Sequence, residues 1–331
     1  MKSIFPILFI DCGDTLCDES TEVRDVPGGV VKQASLFPGA EDALREIHAM
    51  GVPIVLVADG LEDSFAYILR HVRTVFDGWV TSETVGEEKP SARMFEAAMK
   101  ELSLKEIDKP RILMVGNNTR KDIAGANRFG ITSVLADYSP RYDMTPHAPE
   151  QEPDYLLHDI RELPALIRSL TVPYRELTPE DDAALAALIR DNLKAHKLDI
   201  PGTVYFDDGL DHLSDFYQKD GRKYFVFLGE KNEVIGGIGL AEFPPFDRCA
   251  ELQKLYLDDS VKGNGLGYEM IRLIEEEAYR LGYRQMYLET HTNLEAAIHI
   301  YERAGYQEIA RPQGVVHGAM NRFYRKEYLI Q

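Results

Sequence analysis

Lys262-Gly263-Asn264-Gly265-Leu266-Gly267 lies between a strand-like apolar run, Leu252 to Leu257, and a helix-like run, Leu266 to Leu281, and its reading decides the fold of the second half of the chain. A glycine-rich turn that opens a helix presents backbone N–H groups without intrahelical acceptors at the positive end of the helix dipole. That arrangement suits a pyrophosphate. Glycines also serve wherever backbone must pack closely, so the motif takes its meaning from its surroundings.

Downstream come a strand, Gln285 to Thr290, and a helix ending Ala297-Ile298-His299-Ile300-Tyr301-Glu302-Arg303-Ala304-Gly305-Tyr306. This order of strand, glycine-rich turn, helix, strand and helix with a late Tyr resembles the GNAT superfamily of acetyl-CoA-dependent acyltransferases, from about Val172 to the C-terminus. The resemblance implies an α+β fold with a mixed, splayed sheet, and acetyl-CoA as cofactor. Lys262, Gly265 and Gly267 occupy the places of the family's Arg/Gln, Gly and Gly/Ala. Gly263, Asn264 and Leu266 complete the loop expected to hold the diphosphate. Leu255, Tyr256 and Leu257 would offer main-chain contacts to the pantetheine arm along an open strand edge. Asn293, one residue before the place where relatives carry a coenzyme-contacting Asn, joins this set.

Amide formation needs a base for the incoming ammonium and an acid for the departing thiolate. Glu251 precedes Leu257 by six residues, where several family members carry their general base. Period-two alternation puts Glu251, Gln253, Leu255 and Leu257 on one strand face, where an apolar cleft would raise the carboxyl pKa. Tyr301 matches the family's thiolate-protonating Tyr.

A chain of 331 residues exceeds what one core usually serves, so two domains are expected, 1–170 and 171–331, with Leu170-Thr171-Val172-Pro173 as linker. The first half alternates short apolar strands and helices: Phe5 to Ile10, Pro38 to Met50, Val52 to Val57, Ser91 to Leu102, Arg111 to Val115, Lys121 to Phe129 and Thr132 to Leu135. That rhythm predicts an α/β domain with a parallel sheet covered on both faces, its ligands beyond the carboxyl ends of the strands.

The polar residues at those ends are Asp11-Cys12-Gly13-Asp14-Thr15-Leu16, Ala58-Asp59-Gly60, Glu88-Lys89-Pro90 and Gly116-Asn117-Asn118-Thr119-Arg120-Lys121-Asp122. This set resembles the haloacid dehalogenase-like (HAD) superfamily, mostly Mg²⁺-dependent phosphatases with a Rossmann-like parallel sheet. The resemblance makes Asp11 the nucleophile, Thr15 the following turn residue and Lys89 the partner lysine. Asp11, the Gly13 carbonyl and Asp122 would be the remaining magnesium ligands. It also exposes departures. Gly13 stands where an acid/base Asp is expected, with Asp14 one residue late, Ala58 replaces a hydroxyl, and Asn117 replaces an acidic ligand. Loss of the acid predicts hydrolysis weakened by roughly 10²–10⁴-fold. Thr21 to Gln33, with Pro27-Gly28-Gly29, predicts a loop and only a minimal cap.

The net charge of −18 argues against a nucleic-acid or anionic-membrane partner. No run is apolar and long enough to span a bilayer, and the start lacks a cleavage signature. Cys12, Cys17 and Cys249 make no disulfide framework, which fits a cytoplasmic setting. His196, His212, His291, His299 and His317 lack metal spacing and read as surface or core residues. Asp199, Asp207, Asp208 and Asp211 make the stretch from Leu185 to Tyr217 acidic, which suggests either a cationic acceptor or a solvated surface.

The expected protein is an acetyl-CoA-dependent N-acetyltransferase acting on a small amine, joined to a HAD-like domain of reduced or altered competence. The alternatives are a Mg²⁺-dependent hydrolase with a coenzyme-sensing second half, and a non-enzymatic scaffold.

Overall fold

The computed structural model describes residues 2–139, 141, 144–262, 265–315 and 317–327. Two compact units are present, one running from Phe5 to Thr171, the other starting at Val172 and taking in Lys2–Ile4. Strand β1 (Lys2–Ile4) pairs antiparallel with β10 (Val172–Glu176), Lys2 opposite Tyr174 and Ile4 opposite Val172. The boundary expected at 170/171 therefore needs correction at both ends. The first strand belongs to the second unit, and half of the expected linker, Val172-Pro173, is strand. Ile4 and Val172 pack against the second unit's core, which fixes them there.

In the first unit β2 (Ile7–Ile10), β5 (Ile54–Ala58), β6 (Gly78–Thr81), β7 (Ile112–Gly116), β8 (Thr132–Ala136) and β9 (Tyr155–Leu157) form a parallel sheet in the order β6-β5-β2-β7-β8-β9. Every residue of β2, β5 and β7 is buried, because helices cover both faces. Leu8 and Ile10 join one core with Leu44 and Ile47, while Ile7 and Phe9 join another with Met94 and Phe95. The covering helices are α1 (Ala40–Ala49), α2 (Glu62–Ile68), α3 (Ser82–Val85), α4 (Ala92–Glu101), α5 (Ala124–Phe129) and α6 (Leu163–Ser169). The chain passes from β2 to β5 on one side and later places β7 on the other, so the strand order reverses at the carboxyl end of β2, where Asp11 stands. The segment expected as a loop instead forms an antiparallel hairpin, β3 (Cys17–Arg24) and β4 (Val31–Leu36).

The second unit is one eight-stranded sheet in the order β1-β10-β11-β12-β13-β14-β16-β15, with β11 (Lys223–Leu228), β12 (Val234–Glu242), β13 (Cys249–Leu257), β14 (Gln285–Thr290), β15 (Gln307–Glu308) and β16 (Arg322–Glu327). All neighbours are antiparallel except β13 and β14. Helices α9 (Leu266–Arg280) and α10 (Glu295–Arg303) supply Met270, Ile271, Ile274 and Tyr301 to the core on one face. Helices α7 (Asp182–Ala195) and α8 (Leu213–Tyr217) bring Leu185, Ile189 and Tyr217 to the other.

Candidate functional site

Parallel strands β13 and β14 pair only at Cys249–Gln285, Ala250–Met286 and Glu251–Tyr287. Beyond Glu251 the ladder stops while β13 continues to Leu257, still paired on its other side to β12. The strand therefore presents a backbone edge on the β14 side through Leu255, Tyr256 and Leu257, one that an amide-bearing chain can complete. A bulge interrupts the β12 side: Gly239 faces Gln253 and Gly237 faces Tyr256, leaving Lys254 and Leu255 opposite Ile238, with Lys254 at φ 50°. The expected common face of Glu251, Gln253, Leu255 and Leu257 is consequently wrong. The extra residue reverses the alternation, so Leu255 and Leu257 join Leu252 against α9 and α10, and Tyr256 packs on the opposite side.

The strand leads to the glycine turn. Gly265, at φ 80°, opens the fifteen-residue helix α9. A β-carbon on Gly267 would lie 3.2 Å from Ile300 Cδ1, so that first turn runs close against α10. Gly263 and Asn264 lie outside the described residues. Lys262 Nζ donates to Asp259 and, at 3.2 Å, to Asn192 Oδ1.

Glu251 sits half-buried at the point of separation. Gln253 Nε2 donates to its Oε2 at 2.7 Å, and Tyr217 Oη donates to Gln253 Oε1 at 2.8 Å. Burial pushes the Glu251 carboxyl above the usual carboxylate range, Gln253 pulls it back, and the nearby Glu289 charge adds to the rise. Tyr301 is buried, its ring near those of Tyr306 and Tyr324, and burial raises its pKa, so the phenol keeps its proton.

Sequence reasoning missed the other half of this cleft. His317 Nδ1 lies 2.6 Å from Glu289 Oε1 and Nε2 3.1 Å from Asp207 Oδ2, so one imidazole bridges two carboxylates. These bonds lift its pKa to about 9. His317 is thus no idle surface residue. Its only sequence signal is a histidine in the glycine-flanked turn before β16, and no local pattern predicts partners 28 and 110 residues away. Of the acidic stretch, Asp211 is paired with Arg190 at 2.7 Å and Asp207 with His317, which removes two of its four carboxylates from the expected cation site. Asn293 donates from Nδ2 to the His196 carbonyl at 2.9 Å, and its backbone N–H to His291 Nδ1 at 3.1 Å, joining two surface segments.

In the first unit Lys89 Nζ lies 2.7 Å from Asp11 Oδ1, 2.7 Å from Asp122 Oδ1 and 2.8 Å from the Val57 carbonyl. Burial pushes Asp11 up, to about 7, with Lys89 pulling the other way. Burial would lower Lys89, but Asp11 and Asp122 carry it above its ordinary value. Thr15 Oγ1 donates weakly to Asp11 Oδ2 at 3.4 Å. Asp14, at φ 49°, turns away: its Oδ1 accepts from the Glu19 amide at 3.2 Å, and Arg141 lies 3.6 Å from its Oδ2.

Gly13 has a reason of its own. A β-carbon there would lie 1.9 Å from Glu19 Oε1, so the Glu19 carboxyl, held by Arg141 at 2.6 Å, fills the space of the missing side chain.

The ammonium of Lys89 bridges Asp11 and Asp122, and among the described residues the buried Nδ2 of Asn117 has no hydrogen-bond partner. Among the described residues no group of three His, Cys, Asp or Glu side chains is placed to hold a metal.

Residues 189–306 match the model of the Acetyltransferase (GNAT) family, and residues 18–130 that of haloacid dehalogenase-like hydrolase. An uncharacterized N-acetyltransferase of Escherichia coli K12, YjgM, is 36% identical over 138 residues, which are 41% of this chain and 81% of that protein. The chain belongs to the GNAT acetyltransferase family through its second half. Its first half is similar to haloacid dehalogenase-like hydrolases, being 32% identical over 143 residues to a ribulose-1,5-bisphosphate 5-phosphatase of Halopiger xanaduensis, which covers 41% of this chain and 59% of that relative's length. A GNAT-family acetyltransferase structure from Staphylococcus aureus Mu50 aligns with a TM-score of 0.44 and 18% identity over 47% of this chain and 98% of that one. Among the described residues no helix is long and apolar enough to cross a membrane.

Proposed function

We propose that the second unit transfers an acetyl group from acetyl-CoA to an amine by direct attack. The observation that carries this reading is the parting of β13 and β14 after Glu251, beside a helix opened by Gly265. A parted strand edge suits the amides of a pantetheine arm, and a helix N-terminus suits a diphosphate. Glu251 takes the ammonium proton. Its raised pKa keeps it basic enough for this near neutrality, and Gln253 fixes its orientation. Tyr301, protonated and close to the same core, gives its proton to the thiolate. Titration calorimetry with acetyl-CoA, followed by thiol release across an amine panel, tests the reading. Binding with turnover supports it, and no heat at millimolar acetyl-CoA defeats it.

A hydrolytic role for the first unit is favoured by one observation, the buried Asp11–Lys89–Asp122 triad at the strand-order reversal. Burying three charges is costly, and replacing them with apolar side chains is often neutral or stabilising. Their presence is consistent with a retained nucleophile. The Gly13 and Asn117 departures are why we assign that unit reduced or altered competence. Hydrolysis of a phenyl phosphate ester by the wild type, set against Asp11→Asn, measures it.

A further inference from the structure

The cleft around Glu251 contains more charge than acetyl transfer alone uses, and the way that charge is paired points to the acceptor. Asp207 and Glu289 are both bound by the single imidazole of His317. Among the described residues Glu251 is hydrogen-bonded only by the neutral amide of Gln253. Lys254 lies among these groups: burial lowers its pKa, and the charges of Asp207, Glu251 and Glu289 oppose that effect. Yet among the described residues its ammonium makes no hydrogen bond and no ion pair within 4 Å, and the ring of Phe216 is 5.9 Å away. Two groups of opposite charge, one carboxylate and one ammonium, thus share the cleft without an ionic partner in direct contact.

The backbone is built to keep Lys254 there. Its φ of 50° is a left-handed conformation that side chains other than glycine adopt only at a cost. The carbonyl of Lys254 accepts from Tyr224 Oη at 2.8 Å. Tyr224 in turn lies flat on β12, where β-carbons on Gly237 and Gly239 would fall 2.5 Å and 2.4 Å from its ring atoms. The bulge, the tyrosine and the glycines together hold Lys254 on the cleft side of the strand, three residues from the base.

We propose that the acceptor is an amino acid or a similar amino-carboxylate, its ammonium facing Glu251 and its carboxylate facing Lys254. The proposal rests on the acetyl-transfer reading above. A zwitterion supplies the missing partner to both groups, whereas a polyamine would bring a second cation against Lys254. In the reaction the ammonium gives one proton to Glu251, and the nitrogen lone pair forms the N–C bond to the thioester carbonyl. The C–S bond then breaks, and the thiolate takes the Tyr301 proton. The nitrogen loses its second proton as the amide forms, and Tyr301 is reprotonated. The products are the N-acetyl amino acid, coenzyme A and one proton released to solvent.

The test measures thiol release from acetyl-CoA with the common L-amino acids and, for each, its carboxamide, in the full-length protein and in Lys254→Met and Lys254→Arg. Wild type should prefer at least one acid over its carboxamide by tenfold or more in kcat/KM. That preference should collapse towards one in Lys254→Met and largely return in Lys254→Arg, with melting curves showing both variants folded. Acetyl-CoA that binds while acids and carboxamides react alike, or while only carboxylate-free amines react, overturns the amino-carboxylate assignment and leaves the acetyl-transfer reading intact. Acetyl-CoA that does not bind overturns both.

Discussion

Glu251 is the last residue of β13 to keep a ladder partner in β14, Tyr287, and the two strands part immediately beyond that pair. The position of the carboxylate follows from this relationship. It lies where two buried strands stop sharing hydrogen bonds, close to an edge that needs new ones, and it is desolvated enough for its pKa to rise.

Glu251→Gln should lower the kcat of acetyl transfer by roughly 10²–10⁴-fold, the usual worth of a positioned base. The base acts deprotonated, so wild-type kcat/KM should climb with pH through a value above the ordinary carboxylate range and then level. The glutamine variant should lose that limb. A steady-state pH profile of both proteins checks it, and an unchanged limb in the variant would assign the base elsewhere.

His317 should make stability depend on pH in a defined direction. Its folded pKa is raised to about 9 from an ordinary 6.5, so its contribution is complete below about 6.5 and fades as pH rises through about 9. Asp207, held below the ordinary carboxylate range by the same contact against the effect of burial, sets the acid edge of the window. His317→Gln should therefore cost roughly 2 kcal/mol near pH 6 and little near pH 10, read as a melting-temperature difference that closes with rising pH. A difference independent of pH would show that the bridge is not ionic.

Much of the second unit was legible because its signals are local. The glycine turn, the β14 strand and the late Tyr301 follow one another within about 45 residues, so their order was enough. The bulge at Lys254 was not legible. Period-two reading assumes an unbroken ladder, and one inserted residue moved Leu255 and Leu257 to the other face. The Asp207–His317–Glu289 bridge is assembled from distant loops, so nothing in any window foretold it. In the first unit the strand-end motifs were readable, but the use of Gly13 was not. Its reason is the carboxyl of Glu19, which reaches back from the β3–β4 hairpin expected to be a loop.

Gly13→Asp restores the letter of the HAD motif and should nonetheless harm the protein. A β-carbon at position 13 forces the Glu19 carboxyl, the free end of a flexible side chain, to swing aside, so the variant should lose about 1 kcal/mol, the low end of what overpacking costs. Trimming the neighbour in Gly13→Asp/Glu19→Ala should recover most of that loss. Chemical denaturation of the three proteins decides it, and a fully stable Gly13→Asp would mean that Glu19 moves aside freely.

Lys89→Met should destabilise the first unit by roughly 3–5 kcal/mol at pH 8, because it leaves Asp11 and Asp122 buried without their counter-charge. The loss should shrink at pH 5, where Asp11, raised by burial to about 7, takes up a proton, and urea titrations at the two pH values measure the difference. Equal losses at both would indicate that packing, not charge, is what Lys89 supplies.

Hydrogen–deuterium exchange with and without acetyl-CoA tests the central claim most directly. A coenzyme that completes the β13 edge and caps α9 should slow amide exchange in 252–257 and in the first turn of α9, with little change in the sheet of the first unit. Saturating acetyl-CoA that leaves both segments exchanging as in the free protein would contradict the account.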